Sequence, residues 1–137
     1  MSPTISCVGT IPTKTYPTDA GFDLIASRDI IIPARDSAII GTGTHISIPL
    51  GYVGLIWSRS GLSCKHKLEV GAGCIDYGYT GELLVHLHNL SDTLYDVHKG
   101  DKIAQLLIMP ILLPTFESVD KLPEADRGNN GFGSTGK

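Results

Sequence analysis

Positive charge is in short supply in this sequence. Eleven Lys and Arg stand against fourteen Asp and Glu in 137 residues, a formal net charge of −3. Broad nucleic-acid binding needs a basic face that displaces counterions, and none is advertised. Cysteine is scarce and odd in number: Cys7, Cys64 and Cys74. Their wide spacing makes neither a disulfide framework nor a CxxC metal pair, so a reducing compartment is the simpler setting. No apolar run reaches membrane-spanning length. The longest, Ile103 to Leu113, is broken by Gln105 and Pro110. Met1-Ser2-Pro3-Thr4 lacks the basic-then-apolar pattern of a secretory leader. The expectation is a soluble intracellular protein, cytoplasmic or nuclear, of cellular or viral origin, with no membrane and no nucleic-acid partner.

Helical periodicity is also missing. Sixteen glycines and eight prolines leave little room for long helices. Between them lie short runs of Ile, Val, Thr and Tyr that suit a pleated surface. Strands are expected at Phe22–Ala26, Ile30–Ile32, Ala38–Ile40, Thr44–Ile48, Tyr52–Trp57, Leu83–His88, Thr93–Val97 and Lys102–Ile108. One short helix is expected from near Ser60 through Lys65. Hydrophobic residues make up 42% of the chain, enough for one core at this length. Many short strands between turns point to an all-β sandwich, jelly roll or barrel. Composition changes once, after about Asp120, where small, charged and glycine residues replace the strand pattern. Residues 1–120 are therefore read as the core and 121–137 as a mobile arm.

Five stretches carry chemistry. The tail, Arg127 to Lys137, fits a dinucleotide fingerprint and the start of a Walker A loop. Both patterns need a helix after the glycines, and none follows. What survives is local: glycines that let backbone N–H groups approach an anion, hydroxyls at Ser134 and Thr135, and a phosphate fork at Arg127. Phe132 stands alone among glycines, where stacking on a base would explain it. A flexible end would read the same. Ser58-Arg59-Ser60-Gly61-Leu62 opens the short helix, either as an anion site or with Ser58 or Ser60 as a plain cap. Asp19 and Asp23 flank Gly21, as a Mg²⁺ site or an ordinary turn would. Val70 to Glu82 reads as a hairpin turning at Tyr77-Gly78, with Asp76 at its lip as a candidate base and Tyr79 beside it. Gln105 interrupts an apolar strand and needs a partner there. His86-x-His88 has no third ligand at suitable spacing, so zinc is not expected and the pair reads as surface or interface.

In combination and order, Asp19–Leu24, Arg59–Ser63, Gly71–Glu82, Gly100–Leu106 and Arg127–Gly136 resemble the five motifs of the homotrimeric dUTP pyrophosphatases, the dUTPases. The likeness runs from about Pro17 to the end of the sequence. It implies a jelly-roll-like subunit with one short helix, in a threefold homotrimer. Each site would be shared between chains, with the C-terminal arm of one closing over a pocket made by the others. The implied reaction is dUTP plus water giving dUMP and pyrophosphate with Mg²⁺.

By position, the resemblance makes Asp76 the base that orients water toward the α-phosphorus. Tyr79 would pack on the deoxyribose, and the backbone around Gly73, Cys74 and Ile75 would read uracil. Arg59, Ser60, Gly61 and Gln105 would meet the phosphates, and Asp23 would steady Mg²⁺ through water. Arg127, Ser134 and Thr135 would grip phosphate, while Phe132 and Gly133 cover the base. Trp57-Ser58, Cys74 and Thr80 depart from the common pattern without removing a reactive group. The rivals are the related dCTP deaminases and a dUTPase-like binding or regulatory protein. Phe132-Gly133-Ser134-Thr135 and Asp76 count against the first, and an intact Asp76 with an intact arm argues for catalysis over the second.

Overall fold

The computed structural model describes residues 2–136; Met1 and Lys137, the last residue of the tail, lie outside the described residues. In chain order the first strands are β1 (Ser6–Gly9), β2 (Phe22–Ile25), β3 (Ile30–Ile32), β4 (Ser37–Ser47) and β5 (Tyr52–Trp57). Helix α1 (Ser60–His66) follows. The remaining strands are β6 (Leu68–Val70), β7 (Cys74–Ile75), β8 (Glu82–Asn89), β9 (Tyr95–Val97) and β10 (Lys102–Pro110). Two four-stranded sheets face each other, in the orders β1-β4-β8-β6 and β2-β10-β5-β7, with a separate ribbon of β3 and β9. All strand pairings are antiparallel. The architecture is the expected all-β, jelly-roll-like one with a single short helix.

Alternation builds the core. Along β4 the inward residues Ile40, Thr42, Thr44 and Ile46 are buried, and the intervening ones are more exposed. The two buried threonines are satisfied: the Thr42 hydroxyl donates to the Leu83 carbonyl and the Thr44 hydroxyl to the Thr10 carbonyl, each at 2.7 Å. Leu83, Val85 and Leu87 of β8 face the same interior. On β10 the consecutive residues Ile103 and Ala104 are both buried, a break in the one-face alternation. A bulge between Lys102 and Ala104 in the pairing with β2 permits it.

Three differences from the sequence reading have physical reasons. Ala38–Ile40 and Thr44–Ile48 form one eleven-residue strand, not two. Gly41 and Gly43 mark a register shift in the pairing with β8, where the Glu82 carboxylate accepts the Gly43 N–H at 3.0 Å. Strands β1 and β6, of four and three residues, carry too little pattern to be read from sequence.

The stretch around Tyr77-Gly78 is not a hairpin. β7 pairs with β5, as Gly54↔Ile75 and Leu55↔Cys74, whereas β8 pairs with β4 and β6 in the other sheet. The turn, closed by the Tyr79 N–H on the Asp76 carbonyl at 3.2 Å, therefore carries the chain between sheets. Gly73 makes the close approach to β5 possible. A Cβ there would stand 2.4 Å from the Ile56 carbonyl oxygen, and the Ile56 N–H donates to the Gly73 carbonyl at 2.7 Å.

After β10 the Ile111 N–H donates to the Gly51 carbonyl at 2.9 Å. Beyond it the described residues form no strand or helix, and Leu112, Phe116 and Leu122 are exposed. Among the described residues no helix is long and apolar enough to cross a membrane.

Candidate active site

Short strand ends and the turns that join them deliver the candidate residues to two separate cavities. The first, of about 300 Å³, lies where the segment before β2 meets the start of α1. Asp19, Gly21, Asp23, Arg59, Ser60, Gly61 and Gln105 line it, so it gathers the first, second and fourth of the sequence motifs. Asp23 is nearly buried and sits between two cations. Its carboxylate oxygens lie 3.4 Å from the Arg59 Nε and 3.0 Å from the Lys102 Nζ. Arg59 occupies the N-cap position of α1 with extended backbone, and no side chain caps the helix. Neither Ser58 nor Ser60 acts as the plain cap that the sequence allowed. Gln105 answers its own question of partnership by donating its Nε2 to the Ser58 carbonyl at 2.9 Å. It also closes the floor under Gly21, where a Cβ would come within 2.3 Å of the Gln105 Oε1.

The second cavity, of about 450 Å³, lies between β5 and the turn that crosses the sheets. Gly73, Cys74, Ile75, Asp76 and Tyr79 line it together with Ile56, Ala72, Glu82 and Leu84. Its walls are mainly apolar side chains and glycine backbone, with Asp76 and Glu82 as the two acidic residues, the composition expected of a small-molecule site. The Tyr79 hydroxyl donates to the Glu82 carbonyl at 2.7 Å, which pins the ring. Gly81 lies under that ring, and a Cβ there would stand 2.7 Å from the ring carbon Cζ. Asp76 makes no ion pair among the described residues; its nearest side-chain partner is the Cys74 Sγ at 3.9 Å. No residue lines both cavities.

The tail stands apart from both. Its hydrogen bonds among the described residues stay within the segment: Arg127 Nε to the Asn130 carbonyl at 2.7 Å, and backbone turns from Asn130, Ser134 and Gly136. Phe132 is fully exposed and adopts a left-handed backbone, φ 49°. Gly133, Ser134 and Thr135 are exposed beside it. A large apolar ring held in water on a chain of glycines is not explained by this chain alone.

The sequence model described as dUTPase matches residues 8–136. The chain belongs to the dUTPase family. It is 43% identical over 129 residues to a deoxyuridine 5'-triphosphate nucleotidohydrolase of Rhodococcus erythropolis, covering 92% of this chain and 79% of that one. It is 48% identical over 126 residues to the Arabidopsis thaliana enzyme of the same name, covering 92% and 76%. Among solved structures, a mutant dUTPase of Staphylococcus bacteriophage 80alpha with dUpNHpp is similar at a TM-score of 0.92. It is 31% identical and covers 99% of this chain and 100% of that one. A mutant dUTPase from phage phi11 of S. aureus, which reveals coordination of a structural Mg(II) ion, matches at a TM-score of 0.82 and 29% identity. That match covers 89% of this chain and 100% of the phage chain.

Against this dUTPase frame, the remaining side chains find their places. Among the described residues no group of three or more His, Cys, Asp or Glu converges on a metal position. Mg²⁺ does not need such a cage, because it keeps waters and takes one or two carboxylates plus substrate phosphates. Asp23, nearly buried at the edge of the first cavity, fits that modest donor set. The His86 and His88 ring centroids lie 4.3 Å apart with the planes tilted by 46°, and the His86 Nε2 is 2.9 Å from the Ser37 hydroxyl, so the pair is already engaged within the sheet. The three cysteines are free.

Sequence reasoning missed two residues here. Lys102, which shares the Asp23 carboxylate with Arg59, read only as the start of a strand. Glu69 went unnoticed. Its carboxylate accepts the hydroxyls of Ser58 (2.7 Å) and Ser63, and these hold its pKa below the usual value against a small opposing effect of burial.

Proposed function

We propose that the chain hydrolyses dUTP to dUMP and pyrophosphate by attack of water on the α-phosphorus, in a homotrimer whose sites are shared between chains. That reaction keeps uracil out of DNA and supplies dUMP. The observation that carries the reading is the separation just described. The phosphate-suited residues and the base-suited cleft line different cavities of one chain, and Phe132 belongs to neither. One nucleotide needs all three at once, and copies related by a threefold axis can bring them together.

In this arrangement uracil enters the glycine-walled cleft and meets backbone groups of Gly73, Cys74 and Ile75. Tyr79, pinned by Glu82, packs on the deoxyribose and leaves no room for a ribose 2′-hydroxyl. Asp76, free of ion pairs among the described residues, orients and deprotonates the attacking water. Arg59, with Ser60, Gly61 and Gln105, holds the phosphates of a nucleotide bound in a neighbour's cleft. Asp23 reaches Mg²⁺ through water; when bound, the ion neutralises triphosphate charge. Residues 121–137 act as the arm. Arg127, Ser134 and Thr135 meet phosphate, Phe132 and Gly133 cover the base, and closure excludes bulk water. The free thiols suit a reducing intracellular compartment.

The test is pyrophosphate release from dUTP, UTP, dCTP and dTTP, with and without Mg²⁺. The reading predicts turnover of dUTP with Mg²⁺ and at least about 100-fold less of the others, the discrimination expected when a site must reject an added group or a wrong base edge. Equal rates on UTP and dUTP, or none on either, would sink it.

A further inference from the structure

We propose that Glu69 is a positioning residue for the phosphate loop, setting Arg59, Ser60 and Gly61 for the triphosphate without touching it. The proposal rests on the dUTPase reading above. Glu69 does not line the Arg59 cavity. It stands at the start of β6 and reaches back across α1 to the residues that bracket the loop. One carboxylate oxygen accepts the Ser58 hydroxyl at 2.7 Å, immediately before Arg59. The other accepts the Ser63 hydroxyl, one turn into the helix. The Ser58 Oγ in turn accepts the Val70 N–H at 2.9 Å, and the Ser58 carbonyl accepts the Gln105 Nε2 at 2.9 Å. Ser58 is thus fixed at three points.

The loop has little else to hold it. Helix α1 has seven residues, none of them buried, and no side-chain cap. A helix that short is not stable by itself. Its one apolar contact with the core is Leu62. The Glu69 carboxylate therefore joins both sides of Arg59-Ser60-Gly61-Leu62 to the rigid edge of a sheet. Ionisation matters to the geometry. Each serine offers one proton, and only a carboxylate presents two acceptor oxygens to receive both. The same hydrogen bonds, from Ser63 and then Ser58, lower its pKa and so favour the ionised form that accepts both.

The experiment uses Glu69→Ala, Glu69→Gln and Ser63→Ala in the full chain. Calorimetry measures binding of dUMP and of the non-hydrolysable analogue dUpNHpp to each, and initial rates give KM and kcat for dUTP. A loop that grips the β- and γ-phosphates should cost the triphosphate and spare the monophosphate. Glu69→Ala should weaken dUpNHpp about tenfold, the loss of a charge-assisted hydrogen-bond pair, and dUMP by less than about twofold. Glu69→Gln and Ser63→Ala, each removing one of the two hydrogen bonds, should fall between, with KM rising more than kcat falls. If Glu69→Ala does not fold, these two milder variants decide the same ratio. Equal weakening of dUMP and dUpNHpp would mean general destabilisation, and unchanged dUpNHpp binding would mean no positioning role; either overturns the proposal. Failure of the unmodified chain to hydrolyse dUTP would overturn the dUTPase reading instead, and is seen separately.

Discussion

Asp76 stands at the lip of an apolar cleft with no ion pair among the described residues to neutralise it. Asp23, only a few motifs away in the sequence, is held between Arg59 and Lys102. The two carboxylates have different surroundings, and under the proposed reaction different work: Asp76 would take the proton of the attacking water, and Asp23 would organise cations. Asp76→Asn should therefore lower kcat by about 10²- to 10⁴-fold, the usual worth of a positioned general base, while binding of dUpNHpp stays within about threefold. Loss of analogue binding in parallel with kcat would assign Asp76 to holding substrate rather than to chemistry. At this scale the sequence was legible in which residues the fold gathers, Arg59 and Gln105 at one cavity and Asp76 at another, because these residue types are chemically distinctive and motif-bound. It was silent on Glu69, because its serine partners lie six and eleven positions away, Ser58 reading as an ordinary helix cap and Ser63 as a helix residue.

Strand ends set where these side chains point. Five of the eight expected strands lie within observed ones and the other three overlap them, because β-branched alternation is a local signal; Tyr52–Trp57 and Ile30–Ile32 coincide with theirs. The stretch from Cys74 to Glu82 deceived for a physical reason. A tight turn between two apolar runs looks like a hairpin, but pairing partners are chosen by which edge is free and which face must be buried. Leu83, Val85 and Leu87 belong to the core of the opposite sheet, and β7 is drawn to β5 by Gly73. Asn89, at the end of β8, was equally invisible. Fully buried, its amide nitrogen donates to the carbonyls of Ile32 (3.1 Å), Pro33 (3.2 Å) and Thr93 (2.8 Å). Its oxygen accepts the Ser91 N–H at 3.1 Å and the Ser91 hydroxyl at 2.7 Å. It ties the β3–β9 ribbon to the main sheet. Asn89→Ala should cost about 3 kcal/mol in urea unfolding, since buried carbonyls and an N–H lose their partners. A loss under about 0.5 kcal/mol would mean that water or a shift of the ribbon satisfies them equally well.

As a whole molecule, one chain carries the parts of a nucleotide site without assembling them. Its acidic balance leaves substrate attraction to local arginines, a lysine and Mg²⁺ rather than to a global field. In the proposed trimer, a second and third copy would cover the exposed Phe132, Leu112, Phe116 and Leu122. Neither the proposed assembly nor arm closure could be read from composition, because both would depend on surfaces that meet only between copies. Truncation before Arg127 should leave a folded protein with at least about 100-fold lower turnover of dUTP, the cost of an incomplete, water-exposed site. The most direct test of the shared site combines this truncated chain, which keeps Asp76, with full-length Asp76→Asn, which keeps the arm. Each alone should release little pyrophosphate from dUTP. Refolded together in equal amounts, they should regain about a quarter of the wild-type sites, because half the clefts have Asp76 and half of those meet an intact arm from a neighbour. A mixture no more active than the sum of its parts would show that each arm serves its own chain, and would contradict the shared site.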